Sequence, residues 1–169
     1  LAVIYTANIS GLALAAVLLH FGGPEAGFGA ILLGIAAALI VGTLAGALMG
    51  VVIAYVGAHP ILVSLAMMIF LRGLGEFLTN GGDISGFPES IAILGHGSLF
   101  GIPVPLILFG LVALIWHILL RRSRHGFSVY MVGSNIRAAE YSGLNTKRTL
   151  VMIYALSGMV CAIAGILML

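Results

Sequence analysis

Arg72 and Glu76 are the residues in this chain whose types and spacing most directly suggest chemistry. They stand four apart inside an apolar run, the spacing at which opposite charges on a helix pair. An ionisable pair at membrane depth either locks helices together or lines a path or gate, and both readings stay open here. Asn8 and Ser64 are the other polar residues within apolar runs that could line such a path, or else bond to a neighbouring helix.

Familiar catalytic constellations are missing. His20, His59, His96, His117 and His125 never fall three to five residues apart, so they offer no metal-binding pair of the usual helical spacing. No G-x-S-x-G stretch marks a nucleophilic serine. Gly95-His96-Gly97 begins like a dinucleotide loop but lacks the third glycine and a preceding strand, and reads as a turn. The single lysine, Lys147, follows no phosphate-binding glycine loop. Cys161, alone in an apolar run, reads as a small buried side chain, and the expectation is of no metal and no cofactor in the chain.

The elements that must hold these residues are set by composition. Of 169 residues, 62% are hydrophobic and 7% charged, against about 25% charged in soluble domains. So few charges cannot coat a water-facing surface, and the lipid bilayer becomes the partner of most side chains. A net charge of +2 without a basic stripe argues against nucleic acid. About 20 apolar residues cross a hydrocarbon core of about 30 Å. Five segments approach that length: 1–21, 29–56, 61–78, 104–120 and 150–169. The fold class expected is therefore all-α: a polytopic transmembrane bundle forming a single domain over residues 1–169.

Residues 1–21 lack the basic start of a signal peptide and read as an internal helix. With Leu1 in place of Met and an apolar end at Leu169, the chain is expected to be an internal fragment of a longer protein. Gly34, Ala38, Gly42, Gly46 and Gly50 form a four-residue stripe in the second span, a surface for close helix packing or, less simply, a path lined by backbone.

Six of the seven Lys and Arg residues fall between 121 and 148, which assigns that segment to the cytoplasmic side. Asp83, Glu89 and Glu25 then fall outside. An interfacial helix is expected around residues 88–94. Within the cytoplasmic segment, Ser134 or Asn135 can cap a short helix over 136–142, with Gly143 ending it at positive φ and Gly133 bracketing its start. Two turns are not stable alone, so this helix must pack on something, either its own bundle or a soluble partner.

The stretch Gly133-Ser134-Asn135-Ile136-Arg137-Ala138-Ala139-Glu140-Tyr141-Ser142-Gly143-Leu144 resembles the G-x-N-x-x-A-A-x-x-S-G-I signature of permease subunits of bacterial sugar-type ATP-binding cassette (ABC) importers. His59 to Met67, with Leu71-Arg72-Gly73-Leu74, is similar to another stretch of that family, as is Leu44 to Val52 with Ala45 to Gly50 at its heart, where Met49 replaces the usual Asn. The resemblance implies a multi-pass protein of the bacterial inner membrane that is not itself an enzyme. Its implied partners are an ABC ATPase on the cytoplasmic side that hydrolyses ATP, a substrate-binding protein outside, and a second permease copy or paralogue. It also implies that Gly133, Asn135, Arg137, Ala138, Ala139, Glu140, Ser142 and Gly143 form the coupling helix region. Asn8, Ser64, Arg72 and Glu76 are the candidates for path or gate, and residues 81–105 for contact with the binding protein. Permeases for branched-chain amino acids, nucleosides or other small solutes are the alternative, with a non-transport membrane scaffold or enzyme behind them.

Overall fold

The structure is a computed structural model that describes residues 2–21, 27–82, 95, 97–99 and 101–168. Its elements in chain order are α1 (Val3–His20), α2 (Phe28–Val51), a π turn (Val52–Val56), α3 (Pro60–Thr79), the strands β1 (Ser98–Leu99) and β2 (Ile102–Pro103), α4 (Val104–Arg122), α5 (Arg124–Ser134), α6 (Ile136–Tyr141) and α7 (Thr146–Leu167). The two-residue strands pair antiparallel about Gly101 at φ 82° and form a turn rather than a sheet. Five helices, α1, α2 with its π turn, α3, α4 and α7, are long and apolar enough to cross a membrane. The architecture is the all-α polytopic bundle expected from composition.

α3 runs unbroken from Pro60 to Thr79 through Arg72, Gly73, Gly75 and Glu76, because a helix tolerates isolated glycines and its polar pair closes along its own surface. Two sequence readings need correction. The segment 121–149 holds more than one short helix, since α5 occupies Arg124–Ser134 with Ser123 accepting a bond from the Gly126 amide at 3.0 Å. The last long helix starts at Thr146, earlier than the apolar run, because Asn145 caps it through the Arg148 amide at 3.0 Å. The turn Gly22 to Pro24, the residues Glu25, Asp83, Glu89 and His96, and the helix expected over residues 88–94 lie outside the described residues.

The core is made of helix backbones pressed together. The stripe on α2 faces α7 and α1: a Cβ built on Gly42 would sit 2.6 Å from the Ala162 Cβ and 2.7 Å from the Gly158 carbonyl, and one on Gly50 would sit 2.8 Å from the Val151 Cα. A Cβ on Gly46 would overlap the Tyr154 carbonyl, and one on Gly158 the Gly42 carbonyl. Gly165 meets Ala7 of α1 in the same way. Without these methyls the backbones approach until dispersion and carbonyl contacts replace side-chain interdigitation, the usual basis of association in lipid. The complementary small face of α7, Gly158, Ala162 and Gly165, is spaced three to four apart in the sequence but was not singled out there. Buried hydroxyls bond within their own helices, Thr6 to the Ala2 carbonyl at 2.9 Å and Ser10 to the Thr6 carbonyl at 2.7 Å.

These contacts fix direction. Low-numbered α2 residues meet high-numbered α7 residues, so the two run antiparallel, and α1 runs alongside α7 in the same sense. The ammonium of Lys147 lies 5.4 Å from the centroid of the Tyr55 ring, tying the start of α7 to the π turn ending α2. Gly57, at φ 73°, stops that turn. Met67 and Leu71 of α3 pack into a cluster with Ala2, Ile9, Ala45 and Met49. Met49, where the resembled motif carries Asn, is thus a core side chain. In contrast, no residue of α4 is buried among the described residues.

Gly158→Val and Gly46→Val should each destabilise the protein by about 1–3 kcal/mol or more, the usual cost of overpacking, since backbone cannot yield as a side chain can. Gly110→Ala, on α4 with nothing near its would-be Cβ, should leave stability unchanged or slightly raised. Thermal unfolding in detergent distinguishes the three.

Candidate functional site

Two regions gather the residues with chemistry. The first is a cleft of about 730 Å³ lined by α1, α3 and the end of α7. Tyr5 and Asn8 reach it from α1, and Arg72, Glu76 and Thr79 from α3. The Arg72 guanidinium donates from Nε to Glu76 Oε1 at 2.8 Å, and both side chains are about 60% exposed (61% and 62%). An ion pair so open is not packed among the described helices. It presents opposite charges and several hydroxyl or amide groups to one concave surface, a lining able to hydrogen-bond a small polar molecule.

Ser64 does not belong to this cleft. It lines a separate cavity of about 330 Å³ with Thr6, Met49 and Ser157, and its hydroxyl donates to the Ile61 carbonyl at 3.0 Å. Of the four polar residues singled out in the spans, the fold therefore brings together Asn8, Arg72 and Glu76 and leaves Ser64 apart. Tyr5 and Thr79 also line the cleft and were not singled out from the sequence. Tyr5 is three residues from Asn8 and Thr79 three from Glu76, so helical spacing could have pointed to them.

The second region is α6. Asn135 is extended at φ −161° and ψ 108°, and its Oδ1 accepts from the Ala138 amide at 3.1 Å, so Asn135 and not Ser134 is the cap. At the other end Gly143 has φ 78°, with its amide donating to the Glu140 carbonyl at 2.9 Å and the Leu144 amide to the Ala139 carbonyl at 3.1 Å. These paired bonds satisfy the last carbonyls of the helix and require a left-handed residue at that position. Gly133 does not bracket the helix: it lies inside α5, and the break between α5 and α6 falls at Asn135 alone.

The two faces of α6 differ. Ala139 is fully buried, and Glu140 Oε1 accepts from the Thr146 hydroxyl at 2.9 Å, joining α6 to the first turn of α7. Ile136, Arg137, Ala138 and Tyr141 are exposed, Tyr141 at 92%. The Ser142 hydroxyl donates to the Ala138 carbonyl at 2.9 Å and closes the helix end. A small helix is thus anchored on one side and presents a basic, aromatic and apolar surface on the other. No group of three or more His, Cys, Asp or Glu residues placed to hold a metal occurs among the described residues.

Residues 5–169 match the family described as "Branched-chain amino acid transport system / permease component". The chain belongs to this permease family. The autoinducer 2 import system permease protein LsrD of Yersinia enterocolitica is 36% identical over 136 residues, covering 77% of this chain and 41% of the relative. Its counterpart in Yersinia pseudotuberculosis is 35% identical over the same lengths, and that of Yersinia pestis 34%. The chain thus spans 41% of the length of the curated relatives it matches. No solved structure matches it. Family and relatives are transport permeases rather than enzymes, and with five membrane-length helices this permease segment is a multi-pass element of the bacterial inner membrane.

Asn135→Ala should remove the cap of α6 at a cost of about 1 kcal/mol and speed amide hydrogen exchange over residues 136–141 severalfold. Exchange in α7 beyond its first turn should be unchanged, which separates local loosening from global unfolding.

Proposed function

We propose that this chain is the part of an ABC importer permease that carries the coupling helix and one wall of the translocation path. An ATPase subunit docks on the exposed face of α6, hydrolyses ATP, and biases the membrane helices between two packings. A substrate-binding protein delivers the solute on the opposite side, its contact surface including residues 81–105, and a second permease copy or paralogue completes the path. The observation carrying this reading is the construction of α6. It is capped at both ends, fixed to α7 through Glu140 and Thr146, and presents Arg137, Ala138 and Tyr141 outward. Movement imposed on that face is transmitted through a hydrogen bond and a buried alanine to the start of a helix whose backbone is wedged against α1 and α2.

The basic residues around α6 support its cytoplasmic placement, since the ends of α2 and α4 and the starts of α3, α5 and α7 gather on the side carrying Arg121, Arg122, Arg124, Arg137, Lys147 and Arg148. Asn8, Arg72 and Glu76 form the polar wall of the path, and Ser64 serves a separate position closer to the cytoplasmic face. The solute is a small polar one of the sugar class, in keeping with the resemblance and with relatives named for autoinducer 2 import. A branched-chain amino acid is the second reading, favoured by the family description and by the adjacent positive and negative groups, which suit a zwitterion.

With the full-length permease, its ATPase and its binding protein in proteoliposomes, Arg137→Glu or Gly143→Val should lower solute uptake by about tenfold or more while ATP hydrolysis by the assembled complex persists. Uptake at the unmodified level in both variants would overturn the coupling role. In the same vesicles, Arg72→Gln and Glu76→Gln should each reduce uptake without altering basal ATP hydrolysis, and a panel of sugars and branched-chain amino acids decides between the two solute classes.

A further inference from the structure

A third cavity, of about 480 Å³, is not accounted for by transport. It is a groove between α4, α5 and α7, walled by Trp116, Leu119 and Leu120 on one side and by Met152, Leu156 and Val160 on the other, with His125 at one end. The lining is almost wholly apolar, so a polar solute gains nothing there. From Met152 to Val160 is about 12 Å along α7, close to the roughly 15 Å that one leaflet contributes to a hydrocarbon core.

The end of the groove is built. A Cβ on Gly126 would overlap the Leu120 backbone, so only glycine lets α5 fold back tightly beneath α4, and Ser123 caps the turn. That turn carries Arg121, Arg122 and Arg124, all exposed, within a few residues of Leu119, Leu120 and His125 in the lining. No acidic residue occurs from Arg121 to Ala139, and Glu140, the first to follow, is engaged by Thr146. An apolar slot of leaflet depth thus opens beside uncompensated positive charge at the level where lipid headgroups lie, the arrangement that holds an anionic headgroup between helices.

We propose that this groove binds one anionic phospholipid, its acyl chain between α4 and α7 and its phosphate against Arg121, Arg122 and Arg124. The lipid fills the space that keeps α4 away from the bundle and bridges α4 to α7 on the side where α6 is anchored.

The test uses the full-length permease reconstituted in nanodiscs of phosphatidylcholine and phosphatidylglycerol in equal parts, then extracted in mild detergent for native mass spectrometry. One phosphatidylglycerol should remain bound. The triple variant Arg121→Gln, Arg122→Gln, Arg124→Gln and the groove-filling Leu156→Trp should each lower its retention by about tenfold or more. Leu114→Trp, on an exposed part of α4 outside the lining, should not. A tail-labelled photoreactive phosphatidylglycerol should cross-link to residues 152–160, with competition by phosphatidylglycerol and not by phosphatidylcholine. Because cross-linking is read on the unmodified protein, it decides the matter even if a variant misfolds. Loss of retention in the arginine variant alone would mean headgroup attraction at the surface and overturn the groove assignment. Cross-linking of this segment to another part of the polypeptide or to a second copy, in place of lipid, would overturn it as well.

Discussion

The close approach of the α2 and α7 backbones at Gly42, Gly46 and Gly158 is the constraint on which the rest of the structure depends. In lipid, burying apolar side chains against one another gains little, because the tails outside are as apolar as the core. What holds these helices is contact dense enough to exceed lipid contact, and that requires surfaces without Cβ atoms. The stripe meets this requirement along several turns of α2. It also explains why α1 can join both helices, since Ala7 and Ser10 present small groups to Gly165 and Gly42.

From that wedge the functional features follow by connection. The start of α7 is held against the π turn by Lys147 and Tyr55, and against α6 by Thr146 and Glu140. A helix outside the membrane is therefore joined to a helix whose backbone is pressed against α1 and α2 inside it. Rigidity at the wedge and short connections at its end suit the coupling role proposed for α6, because a displacement imposed there is not absorbed by soft packing next to it. α3 is held more loosely, by a few residues such as Met67 and Leu71, and carries its ion pair on an open face. In the proposed path, such a wall is held by few contacts and can shift when the bundle changes packing.

Much of this was legible in the sequence because each signal was local. Helix length follows from apolar run length. A cap at Ser134 or Asn135 and the stop at Gly143 follow from what a short polar side chain and a glycine can do within one turn, and the Arg72–Glu76 pair from helical spacing; only the structure chose Asn135. The whole of α5, Arg124–Ser134, was not foreseen, because Arg124, His125 and Gly126 at its start carry no helical apolar pattern. Its helix depends on the Ser123 cap and on a backbone contact with Leu120 that only glycine permits. The separation of Ser64 from Asn8, Arg72 and Glu76 was not legible either, since it depends on which face of α3 turns toward which neighbour.

Composition and spacing by themselves determined that the chain lives in a bilayer, how many helices cross it, and where a short capped helix leaves it. These are consequences of hydration and of hydrogen bonds closed within a few residues. Tertiary structure alone decided that the α2 stripe meets a matching stripe on α7, that Asn8 joins the ion pair while Ser64 does not, and that α4 stands off to leave an apolar groove beside three arginines. Those outcomes depend on the rotation and separation of whole helices. In an apolar solvent they are set by the fit of one backbone against another, which no single segment encodes.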